Sequence, residues 1–260
     1  MPLPSSAMPS VADLYELIYY PGGSNADPEL PAWLHQLLSK RTPGADLLDV
    51  ACGTGHPTLL LGDVYNLTLA DKDRSMIQRA RRNARLSGVA VCRFLHARWE
   101  ELSSASLGKF DVIICAGNAL AQCSDAAAIE ASLRTWASLL RPEGLLYVDV
   151  REFPTGRFRR NELLELYGPV HWQRHAYLVI ARERRLGNRL YRTKVLHPIS
   201  GRGVGAATAI YRTDYFMPTK TVLLRSLETC GYKDVQEVRR PGKWVFNAYT
   251  AVRRNDGLSP

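Results

Sequence analysis

The chain has 260 residues, 46% of them hydrophobic, and no apolar run near the ~18 residues a helix needs to cross a bilayer, which sets aside a helical membrane protein and leaves ample material for a core. Five scattered cysteines, with no Cys-x-x-Cys or Cys/His metal spacing, argue against a disulfide framework and a zinc site and fit a reducing, cytoplasmic setting. A formal charge of +9 raises the question of nucleic acid, but the basic residues fall in small groups, and Arg79, Arg81, Arg82 and Arg85 alternate with apolar positions as a solvated helix face does.

In chain order, residues 1–10 are Pro/Ser-rich, lack the basic-then-apolar layout of a signal peptide and read as a flexible arm. Helices are expected at 11–20 and 28–39, joined by the breaker-rich 21–25. Short apolar runs then alternate with helix-length stretches: strands at 47–50, 67–70, 91–95, 110–115 and 145–150, helices at 73–86 and 126–140. Such alternation implies a parallel sheet covered on both faces, with ligands beyond the carboxyl ends of the strands. Next come the β-forming stretches 171–184, 189–197 and 208–216, the first two joined by a plausible hairpin turn at Gly187-Asn188. A helix at 219–230 and strands at 235–238 and 245–252 follow.

The expected class is α/β: a Rossmann-like, seven-stranded, mostly parallel sheet with helices on both faces, N-terminal helices and a small inserted antiparallel lid sheet. The expected domains are an arm and cap helices at 1–40, a cofactor-binding core at 41–155, the lid at 156–217 and completion of the core at 218–260.

The most informative segment is the first strand running into Asp49-Val50-Ala51-Cys52-Gly53-Thr54-Gly55 and a helix start. Glycines let the backbone turn tightly and approach a ligand, and the N–H groups at a helix start can meet an anionic group. The third glycine of a G-x-G-x-x-G dinucleotide loop is missing, since His56 and Pro57 follow Gly55.

Together, LLDVACGTG and the acidic strand end LTLADKD resemble the class I S-adenosylmethionine-dependent methyltransferases, over roughly residues 47–150. The resemblance implies S-adenosylmethionine as cofactor and assigns Asp71 to the ribose hydroxyls, a role a carboxylate suits by accepting from both. Capping of the next helix is the structural alternative for Asp71, although Asp73 is the better N-cap. Asp49 then orients the glycine loop or the methionine moiety, with Ala51, Gly53 and Gly55 in the loop itself. Met76, Arg98 and Trp99 are expected around the adenine, Trp99 offering a flat apolar wall unless it is an ordinary core aromatic.

After the fourth strand, FDVIICAGNALAQCSD lacks the Pro-Pro-aromatic signature of base-amine methylating enzymes, which argues against a nucleic-acid substrate. This segment, DVACGTG, Trp99, YVDVREF and, more loosely, DYFMP resemble the glycine and sarcosine N-methyltransferases. The implied acceptor is the amine of a small amino acid or a related carboxylate-bearing metabolite. Arg151 would bind its carboxylate as a fork, with Asn118 beside it; Ala116 and Tyr20 fall on the cofactor side, and Tyr167, Tyr215 and Tyr19 would serve as lid phenols. Simpler readings stay open: Arg151 paired with Asp149 or Glu152, Asn118 as a helix cap, and the tyrosines as packing. This sequence departs from the family at Gln122, where a histidine is expected, and shows no evident N-terminal arginine for the cofactor carboxylate.

Two other functions are weighed beside methyl transfer. A protein of this fold can cleave or cyclise S-adenosylmethionine and release methylthioadenosine, or it can bind cofactor or RNA without catalysis. Partners are otherwise expected to be small molecules, with the chain a monomer or homo-oligomer.

Overall fold

The computed structural model describes residues 9–20, 34, 36–38, 43–151, 161–172, 175–199, 208–238 and 246–255. The chain divides into two compact units: residues 28–153 with 216–260, and residues 1–27 with 154–215.

The larger unit is built on a seven-stranded sheet. Its strands are β1 (Asp46–Asp49), β2 (Asn66–Asp71), β3 (Arg93–His96), β4 (Phe110–Cys115), β5 (Leu140–Arg151), β10 (Tyr232–Val238) and β11 (Phe246–Arg253), in the order β10-β11-β5-β4-β1-β2-β3. β1 pairs in parallel with β2 on one side and β4 on the other, and β11 runs antiparallel between β5 and β10. The chain thus steps outward from β1 through β2 to β3, then restarts on β1's other side, opening a crevice at the strands' carboxyl ends.

The predicted near-continuous apolar strands are observed: Leu47, Leu48, Leu67, Leu69, Val112, Ile113 and Ile114 are all 2% exposed or less. Helices α2 (His56–Leu59), α3 (Arg74–Ser87), α4 (Ser104–Leu107), α5 (Ala126–Leu139) and α6 (Lys220–Thr229) belong to this unit. Burial of apolar side chains against both sheet faces creates two cores, one containing Trp136, Ile129 and Leu133 of α5 with Leu223 and Leu227 of α6. The other contains Ile77, Ala80 and Ala84 of α3 with Leu34 and Leu38. Of the helix expected at 28–39, most lies outside the described residues.

α3 shows how the sequence sets its own ends. Asp73 accepts from the backbone N–H groups of Ser75 and Met76 at 2.8 and 3.3 Å, and Gly88 closes the helix at φ +68°. Its buried stripe is Met76, Ile77, Ala80 and Ala84, while Arg81, Arg82 and Arg85 are exposed, as the solvated-face reading requires.

The smaller unit joins helix α1 (Val11–Tyr19) to a sheet of β6 (Glu162–Trp172), β7 (His175–Leu186), β8 (Arg189–Pro198) and β9 (Ala209–Phe216), in that order, although Phe216 itself falls in the larger unit. A capping box between Ser10 and Asp13 starts α1. The expected hairpin is present, with Leu186 opposite Arg189 across Gly187-Asn188. β6 is a correction: the sequence reading starts its β-forming stretch at 171 and has no strand over 162–170, a segment interrupted by Gly168-Pro169. β6 absorbs it by lying at the sheet edge with a register shift between Tyr167 and Pro169, where a missing N–H costs little. No helix among the described residues is long and apolar enough to cross a membrane.

Candidate cofactor and acceptor site

The glycine loop leaves β1 stitched on both sides. Val50 N–H donates to Ile114 of β4 at 3.0 Å and Cys52 N–H to Ala70 of β2 at 2.9 Å. Gly53 and Gly55 then take φ of +53° and +86°, values that side chains rarely adopt. A methyl group on Gly55 would also lie 3.1 Å from Leu59 Cδ1.

Asp49 sits beneath this loop, 3% exposed. It accepts from Ala51 N–H at 3.0 Å and from the Thr58 hydroxyl. Burial pushes its carboxyl up to about 7; those two hydrogen bonds oppose the rise, and the charges of Asp71 and Asp149 add to it. Asp71, at the end of β2, accepts from Gly53 N–H at 2.9 Å and from Asp73 N–H at 2.8 Å. It is therefore a strut between β2 and the glycine loop. Each carboxylate oxygen has a second lone pair, so this duty is compatible with the expected ribose contact. Burial raises its carboxyl as well.

Trp99 lies on a single 3₁₀ turn and donates its indole N–H to Val50 carbonyl at 2.8 Å. Its ring meets Trp136 edge-on with centroids 5.2 Å apart. The edge of Trp99 anchors the loop while its ring packs on the core, as the core-aromatic reading requires. Met76 is buried on α3, Ala116 is half-buried after β4, and Arg98 is exposed, its backbone N–H taken by Glu101 at 2.6 Å.

On the other side of the crevice, Asn118 adopts φ +66° and makes no side-chain capping bond, which removes the helix-cap alternative. Its backbone N–H donates to Asp149 Oδ1 at 2.8 Å and its Oδ1 accepts from Arg151 N–H at 2.8 Å. Asp149, 2% exposed, is bonded as well by the Tyr147 hydroxyl at 3.1 Å. Burial pushes it up to about 6, against the pull of the Asn118 and Gly117 amides. The ends of β4 and β5 are therefore locked together, and Arg151 emerges at the locked corner.

In the smaller unit, the Tyr167 hydroxyl donates to Glu165 at 3.0 Å, and Tyr215 packs its ring 5.6 Å from the Arg192 guanidinium. Burial raises both phenols. Tyr20 caps α1, its ring 5.7 Å from that of Tyr15. The sequence-derived site residues thus gather in two places: Asp49, Ala51, Gly53, Gly55, Asp71, Trp99, Asn118 and Arg151 around the carboxyl ends of the large sheet, and Tyr20, Tyr167 and Tyr215 in the smaller unit.

Sequence reasoning missed Thr58 beneath Asp49 and Asn83, whose side-chain amide donates to Thr54 carbonyl at 2.9 Å. Asn83 follows Met76 and Ala80 at helical spacing, so a polar residue on the buried stripe was the signal for it. Among the described residues no group of His, Cys, Asp and Glu could hold a metal ion.

A sequence profile of the methyltransferase domain family matches residues 47–144, the span from β1 into β5. The chain is 31% identical to a glycine/sarcosine N-methyltransferase of Halorhodospira halochloris, over 44% of this chain and 42% of that one. It is also 31% identical to dTDP-3-amino-3,6-dideoxy-alpha-D-glucopyranose N,N-dimethyltransferase of Streptomyces fradiae, over 55% and 54%. The chain thus spans about half the length of the curated relatives it matches. In fold it is similar to a sugar N-methyltransferase from a Streptoalloteichus species, with a TM-score of 0.74 at 20% identity, covering 98% of this chain and 97% of that one. The seven-stranded sheet order, the glycine loop held by Asp49 and Asp71, and these likenesses agree in supporting a class I S-adenosylmethionine-dependent methyltransferase, with its methyltransferase domain at residues 47–144.

Proposed function

We propose that this chain transfers a methyl group from S-adenosylmethionine to the amine of a small metabolite bearing a carboxylate, a small amino acid or a close relative. The observation that carries the reading is the Asn118–Asp149–Arg151 corner: a buried carboxylate, an amide and an arginine at the carboxyl ends of β4 and β5. The glycine/sarcosine N-methyltransferase relative, matched over 115 residues, supports an amine acceptor.

The residues present fit the cofactor. Thr54 Oγ1, in the glycine loop, is buried with no hydrogen-bond partner among the described residues, the kind of group a bound ligand satisfies. Asp71 would hold the ribose hydroxyls, Met76 and Trp99 the adenine, and the loop at 51–55 the methionine end, with Asp49 fixing the loop and Ala116 at its border. When bound, S-adenosylmethionine supplies a methyl group already activated on a sulfonium.

What remains for the protein is alignment and exclusion of water. Arg151 binds the acceptor carboxylate through its fork, and the Asn118 clamp fixes where that fork begins. Oδ1 of Asn118 is committed to Arg151 N–H, so the amide N–H₂ is the end that can meet the acceptor. The amine must attack as the neutral form, and the proton it gives up leaves to solvent.

A second reading, methylation of an amine on a nucleotide-linked sugar, is favoured by the longer match to the Streptomyces fradiae relative. The cofactor-cleaving alternative draws no support from the relatives named above. The test is mass spectrometry of the protein with S-adenosylmethionine and panels of small amino acids and nucleotide-linked amino sugars. S-adenosylhomocysteine formed only with an amino acid is expected. Formation only with amino sugars would transfer the assignment to the second reading, and methylthioadenosine without any acceptor would overturn both.

A further inference from the structure

Two carboxylates lie buried toward the carboxyl ends of the large sheet, Asp49 on β1 and Asp149 on β5, with β4 between them. Asp49 stands opposite Ile114 of β4, and Ile114 opposite Tyr147 of β5, so all three face the same side of the sheet. Asp149 is two residues beyond Tyr147, on that face too, and accepts from the Tyr147 hydroxyl at 3.1 Å. Among the described residues, every hydrogen bond to either acid comes from a neutral donor: Ala51 N–H and the Thr58 hydroxyl to Asp49, the Asn118 and Gly117 amides and Tyr147 to Asp149.

The titratable groups packed around the pair do not neutralise it. Asp71 acts on Asp49 from β2 and adds to the repulsion. The thiols of Cys52 in the glycine loop and Cys115 on β4 are pushed well above the usual thiol range by burial, and Asp49 adds to the rise at both. Lys72 acts on Asp71, His56 of α2 sets its ring nitrogen 3.4 Å from the Asn83 amide, and Arg151 follows Asp149 with its backbone N–H held by Asn118. Ionising two carboxylates in a water-poor site without a cation is unfavourable, and burial accordingly pushes Asp149 up to about 6 and Asp49 up to about 7. In the loop above Asp49, Thr54 is 1% exposed and its Oγ1 has no hydrogen-bond partner among the described residues, which marks the place as one where a ligand completes the bonding.

We propose that Asp49 and Asp149 form a charge-sensing pair that distinguishes S-adenosylmethionine from S-adenosylhomocysteine, releasing protons to solvent when the crevice receives a sulfonium cation. This deepens the reading above and rests on it, in that the loop at 51–55 takes the methionine end. S-adenosylmethionine carries one positive charge more than S-adenosylhomocysteine, and a cation in a desolvated site favours the ionised carboxylate. After methyl transfer the sulfur is a neutral thioether, the pair takes protons back, and the site loses its electrostatic hold on the product. Cofactor and product differ in shape by a single methyl group, which contact area alone separates weakly, so charge is the stronger handle.

The experiment is calorimetric binding of each of the two ligands to the full chain, which needs no acceptor and no turnover. Titrations run from about pH 5.5 to about pH 7, each in two buffers of different ionisation enthalpy, so that released protons are counted directly. The expected result is S-adenosylmethionine binding that tightens about tenfold over this range and releases on the order of one proton near pH 6, with S-adenosylhomocysteine changing within about twofold. Asp149→Asn and Asp49→Asn each fix a neutral group of the same shape, and each should flatten the pH dependence and lower the preference for S-adenosylmethionine over S-adenosylhomocysteine. The proton count on the parent chain decides the matter even where a variant fails to fold. Equal slopes and equal proton counts for the two ligands would overturn the proposal and leave the cofactor reading standing. Failure of both ligands to bind at any pH would overturn the cofactor reading itself.

Discussion

Asn118, at φ +66°, sets its side-chain Oδ1 against the backbone N–H of Arg151 at 2.8 Å, so a loop residue after β4 terminates strand β5. Asn is among the few side chains that tolerate this backbone region, and it carries the acceptor the strand end needs. Asn118→Ala should lose about 1–3 kcal/mol of stability in urea melts, from the orphaned N–H and the strained backbone together. Asn118→Gly relieves the backbone and still lacks the acceptor, so its own loss reports the clamp and the difference between the two reports the backbone strain. If both variants melt like the parent, the clamp does not hold the corner.

Asp71 braces Gly53 and is proposed to meet the cofactor as well. Asp71→Ala is expected to weaken S-adenosylmethionine binding more than tenfold by calorimetry, the scale of losing one charge-assisted contact of about 1.5–3 kcal/mol. Unchanged affinity would reduce Asp71 to a structural strut.

Trp99→Phe keeps an aromatic surface and removes the N–H that holds Val50 carbonyl. Cofactor affinity should fall about three- to tenfold, with a melting temperature within a few degrees of the parent, since one partly buried bond contributes about 1 kcal/mol. A large loss of stability without loss of affinity would assign Trp99 to the core alone.

Burial pushes Asp149 up to about 6 and Asp49 up to about 7, from 3.8. The folded chain therefore retains protons that the unfolded chain has released, and these two groups make stability fall as pH rises from about 4 through 7. Between about pH 4 and 6, Asp149→Asn should flatten that fall by up to about 1.4 kcal/mol per pH unit, read from urea melts of the cofactor-free protein. Identical slopes in parent and variant would show that Asp149 is ionised throughout.

The central strands β1, β2 and β4 were legible because each is apolar on both faces, and the glycine loop because Asp49, Gly53 and Gly55 stand at fixed offsets from a strand end. Asp73 was legible as the N-cap before a helix and accepts from the first-turn N–H groups as expected, whereas the brace from Asp71 to Gly53 N–H is a tertiary contact that the sequence reading does not name. β6 was not legible, since an edge position that spares Gly168-Pro169 is a tertiary fact. The same holds for the use Asn118 makes of its side chain. The buried ion pair between Glu183 of β7 and Arg192 of β8 was hidden for a different reason: in Arg182-Glu183-Arg184-Arg185 every residue looks solvated, and only strand alternation buries one of them.

The antiparallel pairing of β11 with β5 has a bearing on how the chain reaches this state. Val252 lies opposite Leu145 and Phe246 opposite Arg151, partners separated by about a hundred residues of sequence. As the polypeptide leaves the ribosome, β1 through β5 can assemble from near neighbours, but the outer margin of β5 stays open until the whole insertion has been synthesised. At about 5–20 residues per second, that leaves an unpaired edge for several seconds. Nascent chains stalled before β11 should therefore be the species on which holding chaperones act.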